Sequence, residues 1–235
     1  MKKVIILSVL LVFTAGFAFA EFQIGSNLGW FFERNAYDGW TGRSFQGIDM
    51  ELNARYFFTQ NTGLFAGIGY KTWFLADNNE YLRNMLALGI VPRTRSTLGT
   101  KINLSAGLAF RFAPTESFDI HTSFGVFWNP WGTETIRANF LYYGASIPMD
   151  IYINPMSGFG FTGNIFFAHN ILPNTSLIFG ARLEIGMSRT ETVEVRSNGI
   201  RERSTSSPDF FGLSIGPFIG IMRNFSQQAR EQDYQ

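Results

Sequence analysis

The sequence predicts an all-β protein: an up-and-down antiparallel transmembrane β-barrel of about ten strands, with eight as the alternative, preceded by a cleavable signal peptide. Three observations predict it. The chain opens with an export signal, it is apolar without a further long apolar run, and apolar and polar residues alternate along most of its length. Period-two alternation is typical of a strand with one face in lipid and the other in a polar interior.

The first twenty residues have the three parts of a secretory signal peptide. Two lysines form the basic start, an apolar run follows, and Ala18 and Ala20 precede Glu21. Small residues at these positions suit cleavage between Ala20 and Glu21. A transmembrane anchor is the alternative, but no charged stop-transfer flank follows the run. We therefore expect an exported protein.

Composition excludes several classes of protein. Of the 235 residues, 16% are charged and 17% aromatic, whereas soluble domains average about 25% charged residues. The chain has no cysteine, which excludes a disulfide-stapled scaffold and a lipid-modified amino terminus. A net charge of +1 gives no sign of a nucleic-acid partner. With only two histidines, no metal-ligand cluster stands out, and we expect no cofactor.

Eight segments alternate clearly, and we interpret each as a strand. In chain order they are residues 22–30, 48–56, 64–70, 102–110, 120–128, 147–153, 177–185 and 211–221. Two weaker segments, 86–90 and 159–167, raise the number to ten, an even number that returns both chain ends to the same side. With eight strands these two apolar segments would lie in loops, which is unfavourable in water. We therefore prefer ten.

A soluble β-sandwich also alternates, but its polar faces meet water and are rich in Lys, Glu and Thr. Here the polar faces carry mainly Gly, Ser and Asn with isolated charges of both signs. Such residues suit a crowded interior. Aromatic residues also gather near the strand ends, as in the girdles of a membrane barrel. Both observations favour the barrel.

The predicted periplasmic turns are residues 59–62 and 170–175, with another near 96–100. The longest polar insert, 188–209, contains Asn198 and Gly199, the strongest short signal for a type I′ hairpin turn. We predict a β-hairpin over 190–206 that projects above the membrane. It carries Arg196, Arg201 and Arg203 beside several glutamates.

In this arrangement the chain resembles the small outer-membrane β-barrels of Gram-negative and spirochaete-type bacteria, such as the OmpA, OmpX and OmpW transmembrane domains. The resemblance covers residues 21–225 and is one of architecture. It implies a bacterial outer-membrane location, with outer-membrane lipid around the barrel and the barrel-assembly machinery as a partner. These families end in a strand whose closing aromatic that machinery reads, which implies the same role for Phe225. The chain departs from the pattern with Arg223 at a normally apolar place and with a polar periplasmic tail, 226–235.

The alternation also predicts which charged side chains point into the lumen. An unpaired charge in so narrow a space is costly, so we expect acids and bases to pair across strands. Neither sign dominates, whereas a pore prefers a ring of one sign, and small barrels are filled by their own side chains. A structural filling is therefore favoured over a pore. The predicted lumen charges are Asp49, Glu51, Arg55, Lys71, Arg93, Lys101, Arg111, Asp119, Asp150, Arg182 and Glu184.

Three functions follow from this interpretation. The leading hypothesis is a non-enzymatic surface barrel, structural or adhesin-like, whose outer loops at 33–43 and 188–209 bind a host or envelope protein, for instance by strand addition. The hairpin is equally consistent with a charged, solvent-exposed strand edge that only prevents aggregation. The alternative is a narrow channel for small or hydrophobic solutes, which the OmpW resemblance implies. Its weakly anion-preferring path would be lined by Lys71, Arg93, Lys101 and Arg111.

The third hypothesis is a lipid-modifying enzyme. His121 and Ser123 lie two residues apart on one strand, hence on one face, and the spacing is similar to the His-x-Ser element of lipid A deacylases. Phe124 stands where that family has Asn, and the pair points into the lumen by parity. A hydrogen-bonded interior pair is therefore favoured over a catalytic one.

Overall fold

The computed structural model describes residues 21–37, 44–77, 91–115, 117–142, 145–207 and 210–226. Within these ranges it has nine β-strands. Their bounds are β1 Glu21–Tyr37, β2 Ser44–Phe57, β3 Thr62–Asp77, β4 Val91–Thr115, β5 Phe118–Tyr142, β6 Ala145–Leu172, β7 Thr175–Ser197, β8 Ile200–Ser206 and β9 Phe210–Ser226. None of the described residues belongs to a helix that is long and apolar enough to cross a bilayer.

The sheet closes into a ring, which confirms the barrel prediction. Each strand from β1 to β7 pairs antiparallel with the next one, and β9 pairs with both β7 and β1. The short strand β8 pairs only with β7 among the described strands, so it continues the last position of the ring upward. The described strands therefore occupy eight positions around the ring.

The smaller of the two strand counts is the one that the described residues give. Segments 147–153 and 159–167, which the sequence suggests as two strands, both lie in the single strand β6. Segment 86–90 lies outside the described residues. Closure with eight positions leaves an interior that side chains just fill.

Two of the three expected turns lie where the strands reverse, at 59–62 and near 173–174. The third expectation is wrong, because 96–100 lies inside β4. Gly99 marks a close approach here, since a Cβ on it would lie 2.0 Å from Cε2 of the Trp73 indole. β4 continues instead to Thr115, and β5 begins at Phe118.

A belt of exposed apolar side chains surrounds the lower part of the ring. Leu52, Phe124 and Ile219 are each more than half exposed, while their neighbours on the opposite face, such as Asn53, are buried. An apolar exterior around a polar interior is the reverse of a soluble domain and matches a barrel surrounded by lipid.

Above this belt, strands β4 to β8 continue as an extramembrane sheet. Its polarity is reversed: Ile136, Ile151 and Ile153 are buried inside, whereas Arg137 is exposed outside. Register shifts in the β4–β5 and β6–β7 pairings, including one between Ile153 and Met156, separate the two parts. Since water replaces lipid at this height, apolar side chains turn inward.

Candidate functional site

The centre of the lumen is occupied by a cross-barrel ion network around Lys71. This side chain is 1% exposed, and its Nζ lies 2.6 Å from Glu184 Oε2 and 4.0 Å from Asp49 Oδ2. It also donates to Ser214 Oγ at 3.3 Å. Because β3 and β7 lie four positions apart in the ring, the Lys71–Glu184 pair spans the full width of the barrel.

Arg182 extends the network to β2. Its Nη1 lies 2.5 Å from Asp49 Oδ2 and its Nη2 2.8 Å from Glu51 Oε2, while its Nε donates to Asn164 Oδ1 at 3.0 Å. Charge-assisted bonds of this length hold the guanidinium in one orientation. The set of Asp49, Glu51, Lys71, Arg182 and Glu184 is called the ionic plug below.

Further ion pairs lie above and below the plug. Lys101 Nζ contacts Glu33 Oε2 at 2.7 Å, and at the lower end Arg111 Nη1 contacts Glu21 Oε1 at 2.6 Å. Arg55, in contrast, donates to the uncharged side chain of Asn53 on its own strand at 2.7 Å. Opposite charges therefore meet across strands at several heights in the described lumen.

Apolar layers lie on both sides of the plug. The upper layer, called the apolar cap, consists of Phe31, Phe45, Trp73, Ile136, Ile151, Ile153 and Met156. The lower layer contains Phe166, Phe218 and Met222, and Arg55 covers the Phe166 ring at 4.4 Å. Charged and apolar layers therefore alternate along the barrel axis.

Separate cavities lie above and below the plug. The upper cavity is lined by residues that include Glu33, Lys101 and Glu184, and the lower one by residues that include Gln23 and Met222. The two share no lining residue. A third, small cavity lies at the plug itself and is lined by residues that include Asp49, Lys71 and Arg182.

Three of the predicted lumen charges lie on the outer face, at the lower mouth of the lumen or outside the described residues. Asp150 is a correction: it lies on the outer face of β6, where Tyr152 Oη donates to its Oδ2 at 3.3 Å, because Ile151 and Ile153 turn inward there. Asp119 is partly exposed at the lower mouth. The side chain of Arg93 lies outside the described residues.

Sequence reasoning missed three inward-facing charges, of which Glu134 and Arg189 are buried and Glu33 is partly buried. Glu33, placed in an outer loop, lies in β1 and reaches Lys101. Glu134 is 1% exposed, and Arg189 is buried with its Nε 2.6 Å from Glu191. A longer β1 pattern would have found Glu33. Glu134 and Arg189 could not be found from the alternation, because register shifts change which alternate residues face inward.

His121 and Ser123 both lie inside the barrel but do not act on each other. The His121 ring stacks on Phe166 at 4.7 Å with 4° between the planes, and Asn164 Nδ2 donates to Ser123 Oγ at 3.3 Å. No hydrogen bond joins them among the described residues, and neither reaches the lipid face. Nor do the described residues contain a group of three His, Asp or Glu side chains that could hold a metal ion.

The hairpin of β7 and β8 carries the predicted surface residues. Asn198 and Gly199 form its turn with φ of 47° and 81°, as a type I′ turn requires. Glu194 bridges two arginines: Arg201 Nη2 lies 2.6 Å from its Oε2, and Arg196 Nε contacts its Oε1. The hydrogen bond from Arg201 holds the pKa of the Glu194 carboxyl below its ordinary 4.5, and that from Arg196 adds to the effect.

Residues at the two chain ends are described only in part. Ala18 and Ala20 lie outside the described residues, as does the tail from 227 onward. Phe225 faces outward near the end of β9, 6.2 Å from the ring centre of Phe22, and Arg223 covers its ring at 5.3 Å. The closing aromatic therefore lies at the seam between β9 and β1.

Closed ring, lipid-facing belt and polar interior together decide the fold. The chain has the fold of an outer-membrane β-barrel. Solved structures with a similar fold include a major outer membrane protein of Thermus thermophilus, with a TM-score of 0.49 and 13% identity over 88% of this chain and 99% of that one. OprG of Pseudomonas aeruginosa gives 0.49 and 10% over 88% and 96%.

The Neisserial surface protein A gives a TM-score of 0.45 and 12% identity over 87% of this chain and 97% of that one. No protein-family model matches the chain, and no curated protein matches its sequence. At these identities the similarity concerns the fold alone, so function must be argued from the chain's own side chains.

Proposed function

We propose that this outer-membrane barrel is a non-conducting, non-enzymatic surface protein of adhesin-like type, whose extramembrane sheet is an interaction surface for a host or envelope protein. The observation that carries the proposal is the ionic plug, with Lys71 buried between Glu184 and Asp49 at the middle of the lumen. Since the plug blocks the lumen, the exposed strands are the part of the barrel that remains available for function.

The extramembrane sheet supports the second half of the proposal. All seven residues of β8 are exposed, and the hairpin presents charged side chains beside a type I′ turn. The proposal includes recognition of Phe225 by the barrel-assembly machinery, since this aromatic side chain faces outward at the seam between β9 and β1. Neither the alternative channel nor an enzyme gains support from the described lumen.

Planar-bilayer recording tests the sealed lumen. Purified folded protein should give no stable unitary conductance, because the plug and both apolar layers exclude water and ions. Stable conductance steps at micromolar protein would support the channel instead.

Excision of the hairpin tip tests the interaction surface. Residues 194–203 would be replaced by Asn-Gly, which places a type I′ turn between the paired residues Val193 and Ser204, lower on the same strands. Cells displaying this variant should attach less to host-cell monolayers and cross-link to fewer envelope proteins than cells displaying the parent protein. If the variant inserts normally and keeps every binding phenotype, the hairpin is not a recognition element.

A further inference from the structure

We propose that the open edge of β8 docks an extended, acidic segment of another protein, which adds to the sheet as a new strand beside Arg201 and Arg203. This inference rests on the proposed function and names the class of partner. Two independent features carry it: an unpaired backbone edge, and a row of arginines on the face next to that edge.

Within the described part of the chain, the edge is open along the whole of β8. This strand pairs with β7 from Ser197↔Ile200 to Glu191↔Ser206 and with no other described strand, and all its residues are exposed. Unpaired N–H and C=O groups on such an edge are a template for another strand.

Hairpin geometry shows which backbone groups are available. In a two-residue hairpin the flanking pair, here Ser197 and Ile200, is hydrogen-bonded, and bonded and non-bonded pairs then alternate. Arg201, Arg203 and Thr205 therefore direct their N–H and C=O groups away from β7. A docked strand would bond to these three residues.

The side chains of the same residues face outward. Val193 and Val195 pack against the apolar cap, so their sequence neighbours Glu194 and Arg196 lie on the outer face. Arg203 is opposite Glu194 and Arg201 opposite Arg196 in the register, and paired residues share a face.

Positive charge exceeds negative charge on this part of the face. Two acids face these three arginines: Glu194 is shared by Arg196 and Arg201, and Asp150 lies opposite Arg196 on β6. Arg203 contacts no acid among the described residues. A guanidinium without its own carboxylate is a donor fork for an incoming one. The docked strand should place one acid opposite Arg203 and a second, two residues away, opposite Arg201.

A second copy of this chain does not supply those acids. On the face that includes Arg201 and Arg203, β8 offers only these two arginines and Thr205. Symmetric pairing of two β8 edges thus brings arginine or an uncharged residue opposite each arginine, and like charges directly opposite are destabilising. The edge therefore favours a different, acidic partner.

Peptide binding to the full-length protein in detergent micelles tests the inference. The probe is a nine-residue valine–threonine peptide with glutamate at two positions two residues apart. It should bind up to about fivefold tighter per Arg–Glu pair than the peptide without glutamate. Backbone amides of Arg201, Arg203 and Thr205 should become protected from hydrogen exchange. The same acidic peptide with alternate amides N-methylated should not bind.

Charge reversal supplies the matched control. Arg203→Glu should transfer the preference to a lysine version of the peptide, whereas Arg137→Glu, the same change on the outer face of β5 away from the edge, should leave the preference unchanged. Equal effects of both variants, or equal binding of the N-methylated peptide, would show attraction by charge alone and overturn strand addition. If no peptide binds up to millimolar concentration, the partner class is wrong, while conductance and hairpin excision still decide the proposed function separately.

Discussion

Lys71 and Glu184 lie on opposite walls of the barrel, so their ion pair ties the two halves of the ring together. A buried ion pair is not in itself stabilising, because both groups lose hydration. The loss of only one partner is costly, since the other charge then stays buried without compensation. The plug should therefore be sensitive to single substitutions.

Lys71→Met should lower the free energy of unfolding by about 3–5 kcal/mol, because Glu184 and Asp49 both lose a close cation. Urea unfolding in lipid vesicles measures the change. The double variant Lys71→Met/Glu184→Gln is the control and should recover much of the loss, since Asn103 can still donate to the new amide. A cost under about 1 kcal/mol for the single variant would mean that solvent reaches the plug.

Parity on the strands predicts much of the plug at the residue scale. Asp49, Glu51 and Lys71 all alternate with belt residues on short, regular strands, so the sequence places them inside. The lumen prediction is wrong for Asp150, because alternation divides a strand into two faces but does not show which face meets lipid. Above the belt the apolar face of a strand points inward instead of toward lipid. Whether a residue lies above the bilayer cannot be read from the residues beside it in the sequence.

At the scale of elements, strand β6 shows why two predicted strand segments form a single described strand. Asn154, Pro155 and Ser157 interrupt the alternation between its two apolar segments, and such a sequence normally signals a turn. In the structure the strand continues, with a register shift against β7 between Ile153 and Met156. A bulge and a turn use similar residues, so pattern alone does not separate them.

The hairpin carries a testable pH dependence. Because Arg201 and Arg196 hold the folded pKa of Glu194 below its ordinary 4.5, the ion pairs stabilise the hairpin fully above that ordinary value. This stabilisation is lost as the pH falls through the lower, folded value. Carboxyl-carbon NMR should show a Glu194 midpoint below 4.5, and Arg201→Ala should raise it. A midpoint that Arg201→Ala leaves unchanged would contradict the pairing.

The turn of the hairpin depends on Gly199. Its φ of 81° suits glycine, and no atom lies within 4 Å of a Cβ built there, so any cost of a side chain is conformational. Gly199→Ala should destabilise the hairpin by about 1 kcal/mol, seen as faster amide exchange in β8. Asn198→Gly is the control and should change exchange little, because glycine also adopts a positive φ. Equal exchange in both variants would argue against a type I′ turn.

At the scale of the whole molecule, the exposed belt requires an amphiphile. Leucine, isoleucine and phenylalanine side chains around the ring are about half exposed, and a continuous apolar surface of this kind aggregates in water. The chain without residues 1–20 should fold in mild detergent and run at different positions unheated and boiled. A protein that stays folded and dispersed in plain buffer would contradict the conclusion that the belt faces lipid.

The three layers of the lumen also predict what happens when one of them is removed. Asp49→Ala/Glu51→Ala/Lys71→Ala/Arg182→Ala/Glu184→Ala deletes every charge of the plug but leaves the apolar layers above and below it. Hydrophobic constrictions close a pore by dewetting, so this variant should remain silent in planar bilayers, with its fold verified by the unheated gel position. Steady conductance would instead identify the plug as a gate. The barrel would then be a channel held shut by its charges, and the surface-protein proposal would lose the observation that carries it.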